Sequence, residues 1–336
     1  MGTYTAMVMR TAGSAPEPEE RPIPEPGQGE ALVRLRATSM NYHDLVNLRG
    51  VIRGPWPRVP MSDGTGEVVA LGPGVAHLAV GQRVNLPFSP LWLSGPPSWD
   101  RPVEVLGDTS DGCLQQYRCM AAIALVPVPD SLSFAEAATL PCAGVTAWSS
   151  LRAGALEPGD VVLVQGTGGV SMLALQLAKA HGATVIATSS SDDKLKVATA
   201  LGADHVVNYR TTPDWHVATR EMTGGRGADI VIDVGGAGTI AKSVKATTAG
   251  GTIAIVGGLE GFTNCDVPLA QVLMQQIRLV GIAVGSVADH RDLCRAVEAN
   301  GIHPHISHTF AWNRLDEAVR VQQANEHVGK ITVLIP

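Results

Sequence analysis

Two kinds of hydrophobic pattern divide this chain. Up to about residue 86, apolar and polar positions alternate, as in 31–36, with the two-residue period of a half-buried β-strand. From residue 161 onward, short apolar runs recur and are separated by stretches with helical spacing, as at Leu173, Leu177 and Ala178. These runs lie at 161–164, 184–187, 205–208, 230–234, 252–256 and 278–281. Strands that alternate with helices are typical of a parallel sheet, so we predict a small β-barrel followed by a doubly wound α/β domain.

The run 161–164 leads into a glycine turn and then a helix. The turn consists of Gly166, Thr167, Gly168 and Gly169. A strand, turn and helix in this order let the backbone approach a pyrophosphate and offer it the N–H groups of the helix N-terminus. Ser171 stands where the third glycine of G-x-G-x-x-G is usual, and serine is small enough to pack there. The turn therefore predicts a dinucleotide site.

The end of the next strand indicates which dinucleotide binds. An NAD site has Asp or Glu about 20 residues beyond the first glycine, where it accepts hydrogen bonds from the ribose. Here 188–191 reads Thr-Ser-Ser-Ser. Hydroxyl and ammonium groups can donate to a 2′-phosphate that a carboxylate would repel, so we predict NADPH, with NADH less favoured. The predicted ligands are Ser189, Ser190, Ser191 and Lys194. The serines can also cap the next helix, beginning at Asp192 or Asp193, and both roles are compatible.

Two further strands end at glycine breaks. The run 230–234 is followed by Gly235 and Gly236, and the run 252–256 is followed by Gly257. Ligands of α/β sheets bind at the carboxyl ends of the strands, so we place Val234 and Gly257 at the cofactor site.

Composition narrows the class of protein. A chain of 336 residues with 45% hydrophobic residues is long enough for two domains. The net charge of −6 and the lack of a basic cluster argue against nucleic acid or an anionic membrane as partner and favour a small molecule. Five cysteines occur singly, with no C-x-x-C pair, and we see no secretion signal or membrane span. We therefore expect a cytoplasmic protein.

Four strings occur together in this order of domains: AATLPCAGVTAW, GTGGVSMLALQLAKAHGATVIATSSSDDKL, LGADHVVNY and VGKITVLI. With them the chain resembles the medium-chain dehydrogenase/reductase superfamily over essentially its whole length, and within it the zinc-independent quinone oxidoreductases and 2-alkenal or enoyl reductases. The resemblance implies a GroES-like β-barrel catalytic domain at 1–125 with 286–336. It also implies a Rossmann NADP(H)-binding domain at 126–285, and a homodimer formed through the sheet edge near 253–280.

The resemblance also implies that no metal is bound. Zinc-dependent members place a Cys, a His and a second Cys around the catalytic zinc, and the matching positions here are Asn41, Ser62 and Cys142. One thiol and an amide do not supply the three ligands of a catalytic zinc. The region 87–111, where those enzymes have four cysteines around a structural zinc, contains none.

The catalytic candidates lie just before residue 45. Asn41 with Asp44 is similar to the N-x-x-D of quinone oxidoreductases, in which the asparagine lies beside the nicotinamide; in the alternative, Asn41 only caps a turn. His43 stands where zinc enzymes carry a hydroxyl of their proton relay, so it is a candidate proton donor, and Tyr42 is another. A purely structural His43 is the alternative.

The resemblance assigns the remaining cofactor residues. Those that flank the nicotinamide are Thr146, Val170 and the stretch 281–284, which includes Ala283 and Val284. Tyr209 resembles the tyrosine that stacks near the adenosine 2′-phosphate, and Lys330 occupies the position of a basic residue that reaches the cofactor phosphates. In the alternative, Tyr209 covers the sheet end and Lys330 is solvated surface.

From these features we predict an NADPH-dependent enzyme that transfers hydride to a quinone or an α,β-unsaturated carbonyl. An alcohol or carbonyl dehydrogenase of the same superfamily is the enzymatic alternative, and a non-catalytic NADPH-binding sensor or structural protein is the alternative of another class. The Pro- and Trp-rich stretch 87–102 is predicted to be a loop, with Trp92 and Trp99 lining a substrate pocket or forming the loop's own core.

Overall fold

The computed structural model describes residues 2–52, 54–98 and 103–336, which fold into two compact units. Unit 1 comprises Met1–Val145 and Gly285–Pro336, and unit 2 comprises Thr146–Val284.

The first segment of unit 1 consists mainly of antiparallel strands. Two of them, β1 (Thr3–Val8) and β2 (Glu17–Pro22), form a separate sheet. The other elements of this segment are β3 (Glu30–Ser39), α1 (Tyr42–Leu48), β4 (Gly64–Leu71), β5 (Arg83–Leu86), β6 (Tyr117–Ala121), β7 (Val126–Pro127), α2 (Phe134–Ala137) and a π-helical turn (Leu140–Gly144).

Unit 2 is a six-stranded parallel sheet with helices between its strands. Its elements are α3 (Val145–Ala153, starting at the unit boundary), β8 (Val161–Gln165), α4 (Gly169–Ala180), β9 (Thr184–Ser189), α5 (Asp192–Ala200), β10 (His205–Asn208), α6 (Trp215–Met222), β11 (Ala228–Asp233), α7 (Ile240–Ala246), β12 (Thr247–Ile255), α8 (Leu269–Gln275) and β13 (Arg278–Gly281). The six strands predicted from the apolar runs are confirmed. Their order, β10-β9-β8-β11-β12-β13, reverses direction between β8 and β11, as in doubly wound dinucleotide-binding sheets.

The final segment returns to unit 1. It contains α9 (Val287–Ala299), β14 (Ile306–Ala311), α10 (Leu315–Gln323) and β15 (Lys330–Leu334). The main sheet has the order β14-β15-β3-β4-β5-β7, and β6 also pairs with β3. Ser39 pairs with Thr332 on one side of β3, and Ala37 pairs with Thr65 on the other. This register brings the end of β3 close to the starts of β4 and β15.

The structure corrects the predicted boundary after residue 125. Residues 126–145 belong to unit 1, because β7 pairs with β5 and the π-helical turn packs against α9. The second boundary lies between Val284 and Gly285.

The core of unit 2 consists of the buried apolar side chains of its central strands, including Leu163, Ile186, Val231 and Ile253. Within the described ranges, no helix combines the length and the apolar character that crossing a membrane requires.

Candidate functional site

Asp44 fixes the backbone at the start of α1. Its Oδ2 accepts a hydrogen bond from Asn41 N at 2.9 Å, and its Oδ1 accepts one from Ser62 N at 2.8 Å. The two bonds join the start of the helix to the segment before β4. Because Asp44 is buried, they are stronger than they would be in water. The Asn-x-x-Asp pattern thus brings Asn41 to Ser62, two of the positions that hold zinc ligands in the zinc-dependent enzymes.

The side chain of Asn41 is held at both ends. Its Oδ1 accepts from Lys330 Nζ at 2.5 Å, and its Nδ2 donates to Asp63 Oδ2 at 2.9 Å and to Ser62 Oγ at 3.3 Å. Lys330 Nζ also donates to Met40 O at 2.7 Å. Each amide hydrogen of Asn41 therefore has an acceptor, and Asn41 can donate to a substrate oxygen only by giving up a bond, most easily the long one to Ser62.

The structure contradicts the alternative in which Lys330 is solvated. The side chain is only 3% exposed, and its ammonium group donates to Met40 O and Asn41 Oδ1. It also lies 3.6 Å from Asp63 Oδ2. The pairing of β15 with β3 places Lys330 inside the Asn41 network. A contact between Lys330 and the cofactor phosphates stays a prediction.

Asp63 is a fully buried carboxylate at this site that no sequence pattern indicated. Burial raises its pKa to about 6; the charge of Lys330 and hydrogen bonds from Ser39 and Asn41 oppose this increase, while Asp44 adds to it. Ser39 Oγ donates to Asp63 Oδ2 at 2.6 Å, whereas Oδ1 has no hydrogen-bond donor among the described residues. The site therefore holds a buried, titratable ion pair.

The side chains present do not fit a catalytic zinc. Asn41 and Ser62 bind each other, and both are neutral donors that zinc sites rarely use. Cys142, in the π-helical turn, is the one thiol at the three matching positions. Over the ranges that the structure describes, no three His, Cys, Asp or Glu side chains cluster as metal ligands would.

The two predicted proton donors differ in their surroundings. Tyr42 is exposed, whereas His43 is largely covered and its ring packs edge-on against Phe88, with 5.2 Å between ring centroids. His43 Nε2 lies 3.7 Å from Asp108 Oδ2. Asp108 was not predicted, because it stands alone in an irregular loop far from His43 in sequence.

The predicted pocket wall in 87–102 is only partly described. Trp92 Nε1 donates to Gly95 O at 2.9 Å within the same loop. Trp99 lies outside the described residues, so its role in a substrate pocket stays a prediction.

In unit 2 the glycine turn connects β8 to α4 as predicted. Gly166 has a φ of +71°, which favours glycine, and Gly168 caps α4. A Cβ atom at either position would meet no protein atom within 4 Å, so the turn leaves open space beside its backbone. Ser171 Oγ donates to Gln165 O at 2.6 Å, which explains how serine replaces the third glycine.

The residues predicted to bind the adenosine part of the cofactor lie close together at the carboxyl ends of β9 and β10. Tyr209 N donates to Ser189 O at 2.9 Å. Ser191 accepts from Lys194 N and caps α5, which begins at Asp192, so the capping role is confirmed for this serine. Ser189 is buried, whereas Ser190 is partly exposed.

The carboxyl ends of β11 and β12 are organised by Asp233, a buried residue that was not predicted. It accepts from Ser243 Oγ at 2.5 Å, Gln165 Nε2 at 3.2 Å and Gly236 N at 2.8 Å. Val234 follows it, and a Cβ atom on Gly257 would lie 2.9 Å from the carbonyl oxygen of Val234. Glycine at 257 therefore lets the two strand ends approach.

The predicted nicotinamide residues also lie in unit 2. Thr146 is buried near the start of α3, and its carbonyl accepts from Ser150 Oγ at 2.7 Å. Ala283 and Val284 follow the carboxyl end of β13. Val284 has a φ of +61°, a strained conformation for a β-branched residue, and such strain is more common at functional sites.

Comparison with known proteins matches each half of the chain to a protein family. Residues 27–130 match the family described as Alcohol dehydrogenase GroES-like domain, and residues 169–299 match the family described as Zinc-binding dehydrogenase. The zinc-type alcohol dehydrogenase-like protein C1773.06c of Schizosaccharomyces pombe is 42% identical over 328 residues, which are 95% of each chain.

Solved structures agree. A protein of Sinorhizobium meliloti 1021 assigned as an alcohol dehydrogenase has a TM-score of 0.93 and 39% identity, with 100% of both chains covered. The crotonyl-CoA carboxylase/reductase AntE in complex with NADP has a TM-score of 0.86 and 26% identity, covering 99% of this chain and 94% of its own. The predicted GroES-like and Rossmann folds are confirmed. The chain belongs to the medium-chain dehydrogenase/reductase superfamily and is an NAD(P)H-dependent oxidoreductase.

Proposed function

We propose that this oxidoreductase uses NADPH, without zinc, to reduce a quinone or an α,β-unsaturated carbonyl compound. The observation that carries the proposal concerns Asn41 and Ser62, which stand at two positions where zinc enzymes bind their metal. Here both belong to a closed hydrogen-bond network with Asp63 and Lys330. Such a site lacks a Lewis acid to polarise a simple ketone. A conjugated acceptor takes hydride at carbon and spreads the developing charge onto its oxygen, so hydrogen-bond donors can suffice.

NADPH, when bound, supplies the hydride; the protein supplies binding, orientation and a proton. The glycine turn, residues 166–169, would hold the pyrophosphate at the start of α4. The proposed ligands of the adenosine 2′-phosphate are Ser189, Ser190, Ser191, Lys194 and Tyr209. The proposed neighbours of the nicotinamide and ribose are Thr146, Val170, Val234, Gly257, Ala283 and Val284. In unit 1, Asn41 would donate to the substrate oxygen and His43 or Tyr42 would donate the proton.

Alcohol and carbonyl interconversion is the second candidate. It is favoured by the names of the S. pombe and S. meliloti relatives, and by Cys142, which keeps a thiol at one zinc-ligand position. The NADP-bound relative named for crotonyl-CoA, a conjugated thioester, supports the first candidate. A non-catalytic NADPH-binding role has no such support.

Following nicotinamide absorbance tests both candidates in one panel. We expect NADPH oxidation with a quinone or a 2-alkenal, little with a saturated ketone, and no loss of rate after treatment with a zinc chelator. Metal analysis of the purified protein should find less than one zinc per chain. Turnover confined to alcohols and ketones, lost on chelation and restored by zinc, would instead establish the second candidate.

Cofactor choice can be tested at Ser190, which is partly exposed at the end of β9. Ser190→Asp should lower kcat/KM for NADPH about 10- to 100-fold and change that for NADH little, because the added carboxylate repels the 2′-phosphate. Ser190→Asn is the control, because asparagine has the size of aspartate but no charge, and this variant should keep its preference for NADPH. Equal losses with both cofactors in both variants would reject a charge-based preference.

We also propose a homodimer, as the resemblance implied. The edge strand β13 directly follows α8 in the chain, and α8 exposes the apolar side chains of Leu269, Leu273 and Met274. Exposed apolar side chains grouped on one element mark an interaction surface. Sedimentation of the purified protein at the mass of one chain would rule out the dimer.

We also propose a cytoplasmic location, since none of the five cysteines forms a disulfide.

A further inference from the structure

We propose that Asp108 is a positioning residue for His43 and that Arg58 holds Asp108 for this task; the role rests on the proposed function. Asp108 is presented by a tight turn in which Gly107 has a φ of +75° and Gly107 N donates to Ser110 O at 3.0 Å. Its side chain is 14% exposed. The carboxylate therefore faces His43 from a largely covered position.

The turn is anchored independently of His43. Asn47 in α1 donates to Gly107 O, and Arg58 Nη1 donates to Asp108 O. Leu106 N donates to Phe88 O at 3.2 Å, and the ring of Phe88 packs against His43. The same residues thus fix both members of the pair, the imidazole by packing and the carboxylate through its backbone.

Arg58 gives the carboxylate a permanent counter-charge. Its side chain is almost completely buried, lies over the ring of Trp56 at 3.9 Å and donates to Asn47 Oδ1. Arg58 Nη1 lies 3.7 Å from Asp108 Oδ1, while His43 Nε2 lies 3.7 Å from Oδ2. Asp108 is thus shared between a buried cation that holds it and an imidazole that it can orient. At 3.7 Å Asp108 is too far for a hydrogen bond, and His43 Nε2 has no hydrogen-bond partner among the residues described, so a small movement of the ring would complete this one.

This geometry suits a proton donor. In the proposed reaction bound NADPH would supply a hydride to the electrophilic carbon of the acceptor and would be left as NADP⁺, while the π electrons of the acceptor would move to its oxygen. Protonated His43 then gives one proton to the reduced substrate, becomes neutral and takes a new proton from solvent. Asp108 keeps Nε2 turned toward itself, which leaves Nδ1 for the substrate.

A double-mutant cycle tests this role on the full-length enzyme. We expect Asp108→Asn to lower kcat about 10- to 100-fold with the KM for NADPH unchanged, and His43→Gln to lower kcat about 100-fold. The double variant should be no slower than His43→Gln, because Asp108 acts only through His43. Asp108→Glu should recover part of the lost rate. Thr109→Ala, which removes a hydroxyl from the same turn, is the control for loop distortion and should retain full kcat.

The outcomes separate the two proposals. Losses that multiply in the double variant, or a Thr109→Ala variant as slow as Asp108→Asn, would overturn the positioning role while leaving a working reductase. Absence of turnover by the wild-type enzyme with every acceptor would remove the proposed function, and this role with it.

Discussion

Replacement of Lys330 by methionine is expected to lower the free energy of unfolding by about 3–5 kcal/mol at pH 7, the range found when one partner of a buried ion pair is removed. Methionine fills much of the same volume but donates no hydrogen bond. Met40 O and Asn41 Oδ1 would each lose a donor, and Asp63 would lose the nearest positive charge. Urea denaturation followed by circular dichroism measures the change.

The pH dependence of this loss has a definite sign. Asp63 has a pKa of about 6 in the folded protein against about 3.9 in the unfolded chain. A raised carboxyl pKa means that the folded state binds more protons, so this group destabilises the fold as pH rises from about 4 to its folded pKa. Without Lys330 that folded pKa rises further, and the variant should keep losing about 1.4 kcal/mol per pH unit above pH 6, where the wild type no longer does. The deficit should therefore be larger at pH 8 than at pH 6.

Two comparisons sharpen this test. The double variant Lys330→Met, Asp63→Asn should be more stable than Lys330→Met alone, because it leaves no unpaired buried charge. Lys196→Met, in a fully exposed pair with Asp193, should produce no measurable change. A Lys330→Met variant as stable as the wild type at both pH values would contradict the assigned ion pair.

Local patterns in the sequence predicted most of the fold. The strands of unit 2 are predicted correctly because each contains a short apolar run, and the runs at 161–164, 230–234 and 252–256 are followed within two residues by a glycine. Gly166, the first of these glycines, adopts a positive φ. The boundary at residue 125 failed for a different reason. Whether 126–145 joins the sheet of unit 1 depends on the pairing of β7 with β5 and on packing against α9, both of which are contacts with residues distant in sequence.

The same limit applies to the site. Asn41 and His43 could be named from their local pattern, but their partners are single residues brought close by tertiary structure. Lys330 lies 289 positions from Asn41, and the register of β15 on β3 joins them. Asp63 and Asp108 have no sequence signature, because a lone carboxylate in a loop is normally solvated. Only their burial and their pairing with Lys330 and His43 in the folded structure single out these two residues.

The second large effect is expected at Gly168. Its backbone is extended, with a φ of −76°, and a Cβ atom there would meet nothing within 4 Å, so the fold itself does not require glycine. Gly168→Ala should therefore cost at most about 1 kcal/mol of stability, because alanine is a poorer N-cap than glycine but loses less backbone freedom on folding. If the pyrophosphate passes this open side, the added methyl group should displace it from the N–H groups of α4. Loss of two such charge-assisted hydrogen bonds, about 1.5 kcal/mol each, would raise the Kd for NADPH about 100-fold.

Titration of NADPH fluorescence, with thermal unfolding measured in parallel, separates binding from folding. Gly236→Ala, in contrast, should lower the stability of the fold. Gly236 has a φ of +72°, and an added Cβ atom would lie 2.6 Å from Gly261 O. Gly81→Ala, in open space in unit 1, should cost about 1 kcal/mol of stability through its positive φ and leave the Kd unchanged. A Gly168→Ala variant that binds NADPH as tightly as the wild type would show that the phosphates do not cross the turn at this residue, and the cofactor site would have to be placed elsewhere on the carboxyl edge of the sheet.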